Sequence, residues 1–219
     1  MKSTAFPIPP IEVSKRNIAI FTIILFHAAG LPFIACETTR SLFLLVTPFN
    51  LVLSTVLLLW NHDDWSPSFV LFCVTTFCVG FGAEVIGVQT GYLFGEYAYG
   101  TVLGWKLGGV PLVIGSNWLM CIYCCGVIAN RFPFNGWVKA GIGAVLMLLL
   151  DTVIEPVAMK MGFWQWENNL IPLWNYGTWF IASFMLLCLY YRLPFQKDNP
   201  VATSLYFTLW LFFGFLNFV

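Results

Sequence analysis

Seven long apolar stretches divide this sequence, and they constrain its fold more than any other feature. A helix needs about 20 largely apolar residues to cross the hydrocarbon core of a bilayer. The stretches that reach or approach this length are residues 17–35, 41–60, 68–88, 109–130, 137–158, 172–192 and 201–218. The breaks between them leave no room for a soluble domain. The sequence therefore predicts an all-α integral membrane protein, a bundle of about seven transmembrane helices that forms one domain over residues 1–219.

Composition supports this assignment and excludes one other class of protein. Charged residues make up 9% of the chain, against about 25% in a typical soluble domain. The net charge is zero and there is no basic run, so no nucleic-acid partner is expected. Aromatic residues reach 18%. Some of them suit the belt at the membrane interface, and others would suit the walls of a site for a long polyene or isoprenoid.

The basic residues predict an orientation in the bilayer. The N-terminal segment and the breaks after the second, fourth and sixth spans hold Lys2, Lys15, Arg16, Arg131, Lys139, Arg192 and Lys197. The other side holds only Arg40, Lys106 and Lys160. Cytoplasmic loops are enriched in Lys and Arg. We therefore expect the N-terminus in the cytoplasm and the C-terminus outside, with the chain in the cell's inner membrane.

The acidic residues follow the opposite pattern and point to a site. Six of them belong to the non-cytoplasmic half: Glu37, Glu84, Glu96, Asp151, Glu155 and Glu167. Asp151 and Glu155 lie in the apolar run GIGAVLMLLLDTVIEPVAM, and their spacing of four places them on one helix face. An acid near the bilayer centre costs about 2.5–3.5 kcal/mol on insertion scales, so intramembrane acids are functional candidates. We expect the chemistry at this pair.

The sequence lacks the motifs that bind several common cofactors. Only two histidines occur, His27 and His62, so the His-rich membrane di-iron oxygenases are excluded. The C-x-x-C at Cys121–Cys124 lies within an apolar span without a second ligand pair and is interpreted as packing. No phosphate-binding loop or dinucleotide motif is present. We therefore expect neither a metal nor a cofactor.

Two blocks of the sequence carry recognisable motifs. The first, residues 84–111, reads E-x-x-G-x-x-T-G-x-x-F-G-x-Y-x-Y followed by G-V-P. The second, residues 151–179, reads D-x-x-x-[DE]-P, then W-x-W, then I-P-L-x-N-x-x-x-W. Together these blocks resemble the membrane carotenoid-biosynthesis family of CruF-type carotenoid hydratases. The resemblance implies addition of water to the terminal 1,2 double bond of an acyclic carotenoid end. The related substrates are γ-carotene, lycopene and bisanhydrobacterioruberin.

This reaction assigns roles to particular residues. Protonation of an alkene needs a strong acid, and a carboxyl group held in low dielectric keeps its proton. Asp151, the deeper acid, is the expected proton donor, and Glu155 or Glu84 would orient water and take up its proton. The aromatic faces expected to line the cationic end belong to Tyr97, Tyr99, Trp164 and Trp166. The other expected substrate-binding residues are Phe94, Asn175 and Trp179. Glu96, Arg40 and Lys106 are expected to form ion pairs that fix the loops.

Other functions stay open at this stage. A membrane lycopene cyclase begins with the same protonation and then traps the cation with a neighbouring double bond. A non-enzymatic isoprenoid or ion carrier also uses buried acids. A retinal protein is excluded because residues 201–219 contain no lysine. The sequence leaves open which carotenoid enters, whether one or both of its ends react, which acid gives the proton, and the oligomeric state.

Overall fold

A computed structural model describes residues 14–219 of the chain, so Lys2 and the other residues before Ser14 lie outside the described part. Each predicted span is a helix. The helices are α1 (Lys15–Ala35), α2 (Glu37–Trp60), α3 (Pro67–Thr90), α4 (Val113–Ala129), α5 (Gly136–Lys160), α6 (Leu173–Arg192) and α7 (Pro200–Leu216). Five are long and apolar enough to cross a membrane, and α4 and α7 are shorter apolar helices. The predicted all-α membrane bundle is confirmed.

The helix ends follow from polar residues at the breaks. Ser66 accepts a hydrogen bond from the backbone N–H of Phe69 and is followed by Pro67 at the first position of α3. Asn135 and Asn199 cap α5 and α7 in the same way, which satisfies backbone donors that a helix start leaves without partners. At the end of α3, Gly91 adopts a φ of 70°, the left-handed conformation that favours glycine.

Helix α4 is the centre of the bundle. Nearly all of its side chains are buried, and it packs against α2, α3, α5, α6 and α7. Two of its glycines allow close approach: a Cβ at Gly115 would lie 2.6 Å from the Phe77 ring, and one at Gly126 would lie 2.9 Å from the Tyr190 ring. The outer helices expose large apolar side chains such as Phe21 and Phe49. These side chains suit contact with lipid.

Two short antiparallel ribbons lie between the helices. Strands β2 (Lys106–Leu107) and β3 (Val110–Pro111) form a hairpin ahead of α4. Strand β1 (Tyr97–Tyr99) follows α3 and pairs with β4 (Trp164–Trp166), which follows α5. A short 3-10 turn, Glu167–Asn169, continues from β4. The β1–β4 ribbon therefore joins the segments that carry the two motif blocks.

The two ends of the bundle differ in their charged groups. At one end, which we call the packed end, Lys15 pairs with Asp63 at 2.5 Å, and Asp64 accepts a hydrogen bond from the backbone of Gln196 at 2.8 Å. The start of α1 and the loops before α3 and α7 therefore meet there. The opposite end, the acid end, carries the β1–β4 ribbon and the buried acids. The orientation of these ends in the bilayer remains a prediction.

Candidate active site

Glu84 on α3 is a buried carboxyl group held by three donors. Its Oε2 accepts hydrogen bonds from the hydroxyls of Tyr97 at 2.5 Å and Tyr99 at 2.9 Å. Its Oε1 accepts one from the indole N–H of Trp118 at 3.0 Å. Burial, and then the neighbouring Glu84, raise the pKa of both tyrosines above the ordinary phenol range. Both phenols therefore keep their protons and act as donors.

Glu155 on α5 is held by the other strand of the ribbon. Its Oε2 accepts hydrogen bonds from the indole N–H groups of Trp164 and Trp166, both at 2.9 Å. Within residues 14–219, no group donates a hydrogen bond to its Oε1. An indole N–H can donate only one hydrogen bond, so both tryptophan donors are committed to this oxygen. They fix one carboxyl oxygen of Glu155 and leave the other available.

The ribbon places these donors in register. Tyr97 lies opposite Trp166 and Tyr99 lies opposite Trp164, with ring centroids 4.8 and 5.8 Å apart. Beside the ribbon, Gly100 packs so closely on the backbone that a Cβ there would lie 2.0 Å from the carbonyl oxygen of Gly162. The two loops therefore form one packed unit above the acids.

Asp151 differs from the two glutamates because no group within residues 14–219 donates a hydrogen bond to it. It is 5% exposed, and its Oδ2 has no hydrogen-bond partner in the described part of the chain. Asn175 on α6 is fully buried, and both of its side-chain polar atoms also lack partners among those residues. Buried polar atoms without partners are rare and call for an explanation. A ligand or water that hydrogen-bonds to these atoms would supply one.

These groups line one small cavity of about 30 Å³. A water molecule needs about 10–15 Å³ of such space, so the cavity has room for water beside the acids. Trp118 packs behind it, stacked on Trp179 with ring centroids 4.2 Å apart. This close packing is possible because Gly80 has no side chain: a Cβ there would lie 2.4 Å from the Trp118 ring.

A second and larger cavity of about 80 Å³ adjoins the first. The two share four lining residues, namely Ile114, Asn117, Ile154 and Trp164. The second cavity is mostly apolar and extends toward α1, α2 and α7. We call the first the acid cavity and the second the inner cavity. Together they form a small cavity that holds the acids and a larger apolar cavity beside it.

Comparison with known sequences gives this arrangement a family context. Residues 41–219 match the sequence family described as carotenoid biosynthesis protein. The chain belongs to this family. The matched segment contains every residue that lines the acid cavity, and it leaves out α1. The protein is therefore a membrane protein of carotenoid biosynthesis.

A curated relative is similar over part of its length. The bisanhydrobacterioruberin hydratase of Haloarcula japonica is 28% identical over 167 residues, which cover 61% of this chain and 55% of the relative. The aligned region thus spans about half the length of that relative. No solved structure matches this member of the carotenoid biosynthesis family.

The fold brings together all ten of the predicted catalytic and substrate-binding residues of this carotenoid biosynthesis protein. They line the acid cavity as Glu84, Phe94, Tyr97, Tyr99, Asp151, Glu155, Trp164, Trp166, Asn175 and Trp179. Sequence reasoning missed Trp118 and Asn117, which lie in α4. Apart from Ser116 and Asn117 that helix is apolar, so no periodic signal marks the face that turns toward the acids. The buried cysteines of α4, Cys121, Cys124 and Cys125, are free thiols packed in the core.

The expected ion pairs of Glu96, Arg40 and Lys106 do not form. Within residues 14–219 the sole ion pair is Lys15–Asp63. Arg40 donates to the carbonyl oxygen of Ile34 at 3.0 Å, and Lys106 donates to that of Tyr99 at 2.5 Å. Each base therefore reaches a backbone carbonyl oxygen and no carboxylate among the described residues. Glu96 instead lies beside Glu167, and the hydrogen bond and charge of Glu96 raise the pKa of Glu167.

Proposed function

We propose that this protein is a hydro-lyase that adds water across the terminal 1,2 double bond of an acyclic carotenoid end group. The observation that carries the proposal is the Oδ2 of Asp151, which has no partner among the described residues and is buried in a cavity with room for water beside two hydrogen-bonded carboxyl groups. The hydratase activity in the name of the Haloarcula japonica relative supports the same reaction class.

In the first step, Asp151 gives its proton to C2 of the alkene. A buried carboxylate without a donor is costly, because nothing replaces the hydration that it loses. Asp151 is the one acid of the three that receives no hydrogen bond at either oxygen from the described residues, whereas Glu84 and Glu155 each receive at least two. It is therefore the acid best suited to enter the reaction protonated. The electron pair of the double bond forms the new C–H bond and leaves a tertiary cation at C1.

In the second step, aromatic faces stabilise that cation. Tyr97, Tyr99, Trp164 and Trp166 line the cavity, and the face of an aromatic ring attracts a cation by about 0.5–2 kcal/mol. The indole N–H groups of both tryptophans are bound to Glu155. These hydrogen bonds hold the two indole rings in place before the reaction, so no free energy is spent on reorienting them when the cation forms.

In the third step, water attacks C1 and passes a proton to Glu155. Glu155 has one oxygen fixed by two indoles and the other without a donor in the described chain, which suits it to orient water and accept its proton. Glu84 has donors at both oxygens, so it is a positioning residue for Tyr97, Tyr99 and Trp118. Proton transfer from Glu155 to Asp151, four residues away on the same helix face, restores the starting state. The alkene and water account for every atom of the product.

The test is expression of the chain in a bacterium that accumulates lycopene or γ-carotene, followed by chromatography and mass spectrometry of the pigments. The proposal predicts a product heavier by one water with the chromophore unchanged. An isomer of unchanged mass with a shortened chromophore would indicate a cyclase instead. Untouched pigments would contradict hydration of these substrates and would favour a carrier.

A further inference from the structure

An open groove between α1 and α2 lies next to the inner cavity. The groove has a volume of about 470 Å³ and is walled by apolar side chains such as Phe26, Phe33 and Val46. It shares Phe43, Thr47 and Asn50 with the inner cavity. We call these three residues the neck. The inner cavity in turn adjoins the acid cavity, so the three spaces follow one another from the lipid-facing surface to Asp151.

The walls of this series suit a long unsaturated hydrocarbon. At the neck, the ring of Phe43 packs directly on α1 at Gly30. This approach is possible because Gly30 has no side chain: a Cβ there would lie 2.8 Å from the ring. The Phe212 ring lies 6.3 Å from Phe43 and 5.2 Å from His27 by ring centroids. From Leu42 at the outer edge to Ser54 in the inner cavity, the path follows α2 for about 18 Å. Flat rings along such a path can stack on a polyene.

The acid cavity is too small to hold more than the reacting end of a carotenoid. The rest of the molecule needs an apolar space continuous with that cavity, and the hydrocarbon itself is dissolved in the bilayer. The inner cavity shares lining residues with the acid cavity, and the groove on the lipid-facing side shares lining residues with the inner cavity. Entry from the membrane therefore requires no passage through water.

We propose that the α1–α2 groove is the lateral entrance for the substrate and holds its polyene chain while the terminal double bond reacts at Asp151. This inference rests on the proposed function for the identity of the occupant. Its geometry depends on α1 and α2, which contribute none of the acid-cavity residues. Substrate retention and chemistry can therefore be measured separately.

The experiment measures carotenoid that copurifies with the protein. An Asp151→Asn background removes turnover, and the protein is purified in detergent from lycopene-accumulating cells. Thr47→Trp fills the neck, and Ala29→Trp fills the groove from an exposed position on α1. Val56→Trp is the matched control, because Val56 is an exposed α2 residue that lines neither the groove nor the inner cavity. Folding is checked by elution profile and melting temperature.

We expect each groove variant to retain about tenfold less carotenoid than the background, which corresponds to about 1.4 kcal/mol of lost binding. The Val56→Trp protein should retain as much as the background. Equal retention in all variants would overturn the proposal, as would equal loss in the control or a purified protein that holds membrane lipid and no carotenoid. A wild-type chain that yields no hydrated product, while groove variants still lose bound pigment, would reject the hydratase reaction and leave the entrance supported.

Discussion

The two ends of the bundle are both rich in buried polar and aromatic groups, but they use their hydrogen bonds differently. At the packed end, His62 bonds to Tyr123 at 2.7 Å through one ring nitrogen and to the carbonyl oxygen of Asp64 at 2.8 Å through the other. Asn199 donates to the carbonyl oxygen of Leu58 at 2.9 Å and caps α7. At the acid end, Asp151 and Asn175 have unpartnered atoms within the described chain and line a cavity.

The contrast holds for these four residues in particular, because the buried Tyr190 hydroxyl beside Tyr123 also has no partner among the described residues. A buried group whose bonds are all made within the protein stabilises one packing arrangement, and it has nothing left to offer a ligand. A buried group that lacks a partner lowers stability in the free protein and gains a partner when a ligand binds. The two ends therefore predict opposite responses to mutation: loss of activity at the acid end and loss of stability at the packed end.

The largest expected effect is that of Asp151→Asn on turnover. General acid catalysis contributes about 10²–10⁴-fold to a rate, so conversion of the carotenoid should fall by about that factor. Asp63→Asn makes the same chemical change at the packed end, in an exposed ion pair, and should leave conversion unchanged. Pigment analysis by mass spectrometry measures both. Conversion by Asp151→Asn close to that of Asp63→Asn would show that another group gives the proton.

Glu84→Gln should affect both properties, because Glu84 joins the acid cavity to the packing around Trp118. The substitution places an amide N–H₂ against at least one of the donors that now bind Glu84. An unsatisfied buried donor costs about 1–3 kcal/mol of the free energy of unfolding. We expect a lower melting temperature in detergent and a partial loss of turnover. Glu37→Gln, at an exposed position on α2, is the control, and a Glu84→Gln protein as stable as this control would contradict the prediction.

At the packed end, Asn199→Ala should lower stability without changing chemistry. The substitution removes a helix cap and the bond to the Leu58 carbonyl, and loss of a cap alone costs about 0.5–2 kcal/mol. The melting temperature in detergent should fall, while turnover per folded molecule stays at the wild-type level. A fall in turnover at unchanged stability would mean that the packed end takes part in the reaction.

The smallest effect concerns Glu167 at the rim of the acid end. The hydrogen bond and charge of Glu96 raise the pKa of Glu167 in the folded protein. The folded state therefore binds this proton more tightly than the unfolded state, and stability falls as pH rises through the raised pKa. Glu167→Gln removes the titrating group and with it this fall in stability. The melting temperature of the variant, relative to that of wild type, should therefore increase as the pH is raised from acidic to neutral. Asp198→Asn, which removes an exposed acid at the packed end, is the control, and an equal gain in melting temperature in both variants would contradict the prediction.

Hydropathy was sufficient to predict the helices, because an apolar stretch of membrane length has few alternatives to a helix. The spacing of Asp151 and Glu155 likewise placed both acids on one face. The resemblance supplied the set of aromatic residues, and the fold gathers all of them around one cavity. Their catalytic and binding roles remain predictions until the variants are measured.

The sequence could not predict how the loops meet. Strands of three residues have no periodicity to read, so the register of Tyr97 opposite Trp166 appears only in the structure. Trp118 lies in a mostly apolar helix, and only tertiary packing turns its indole toward Glu84. The expected ion pairs failed because Arg40 and Lys106 have carbonyl oxygens within closer reach than any carboxylate.

The hydrogen bonds of the two glutamates have a consequence for how the chain is made. Glu84 receives two of its donors from residues 13 and 15 positions later, and Glu155 receives both of its donors from residues 9 and 11 positions later. Each acid is thus served by the loop that directly follows its own helix. When α3 or α5 enters the bilayer during synthesis, its glutamate needs only the next short segment to be shielded from lipid. Asp151 has no hydrogen-bond donor in the loop that follows its helix or elsewhere in the described chain. The free-energy cost of inserting Asp151 is therefore offset only by the packing of the assembled bundle.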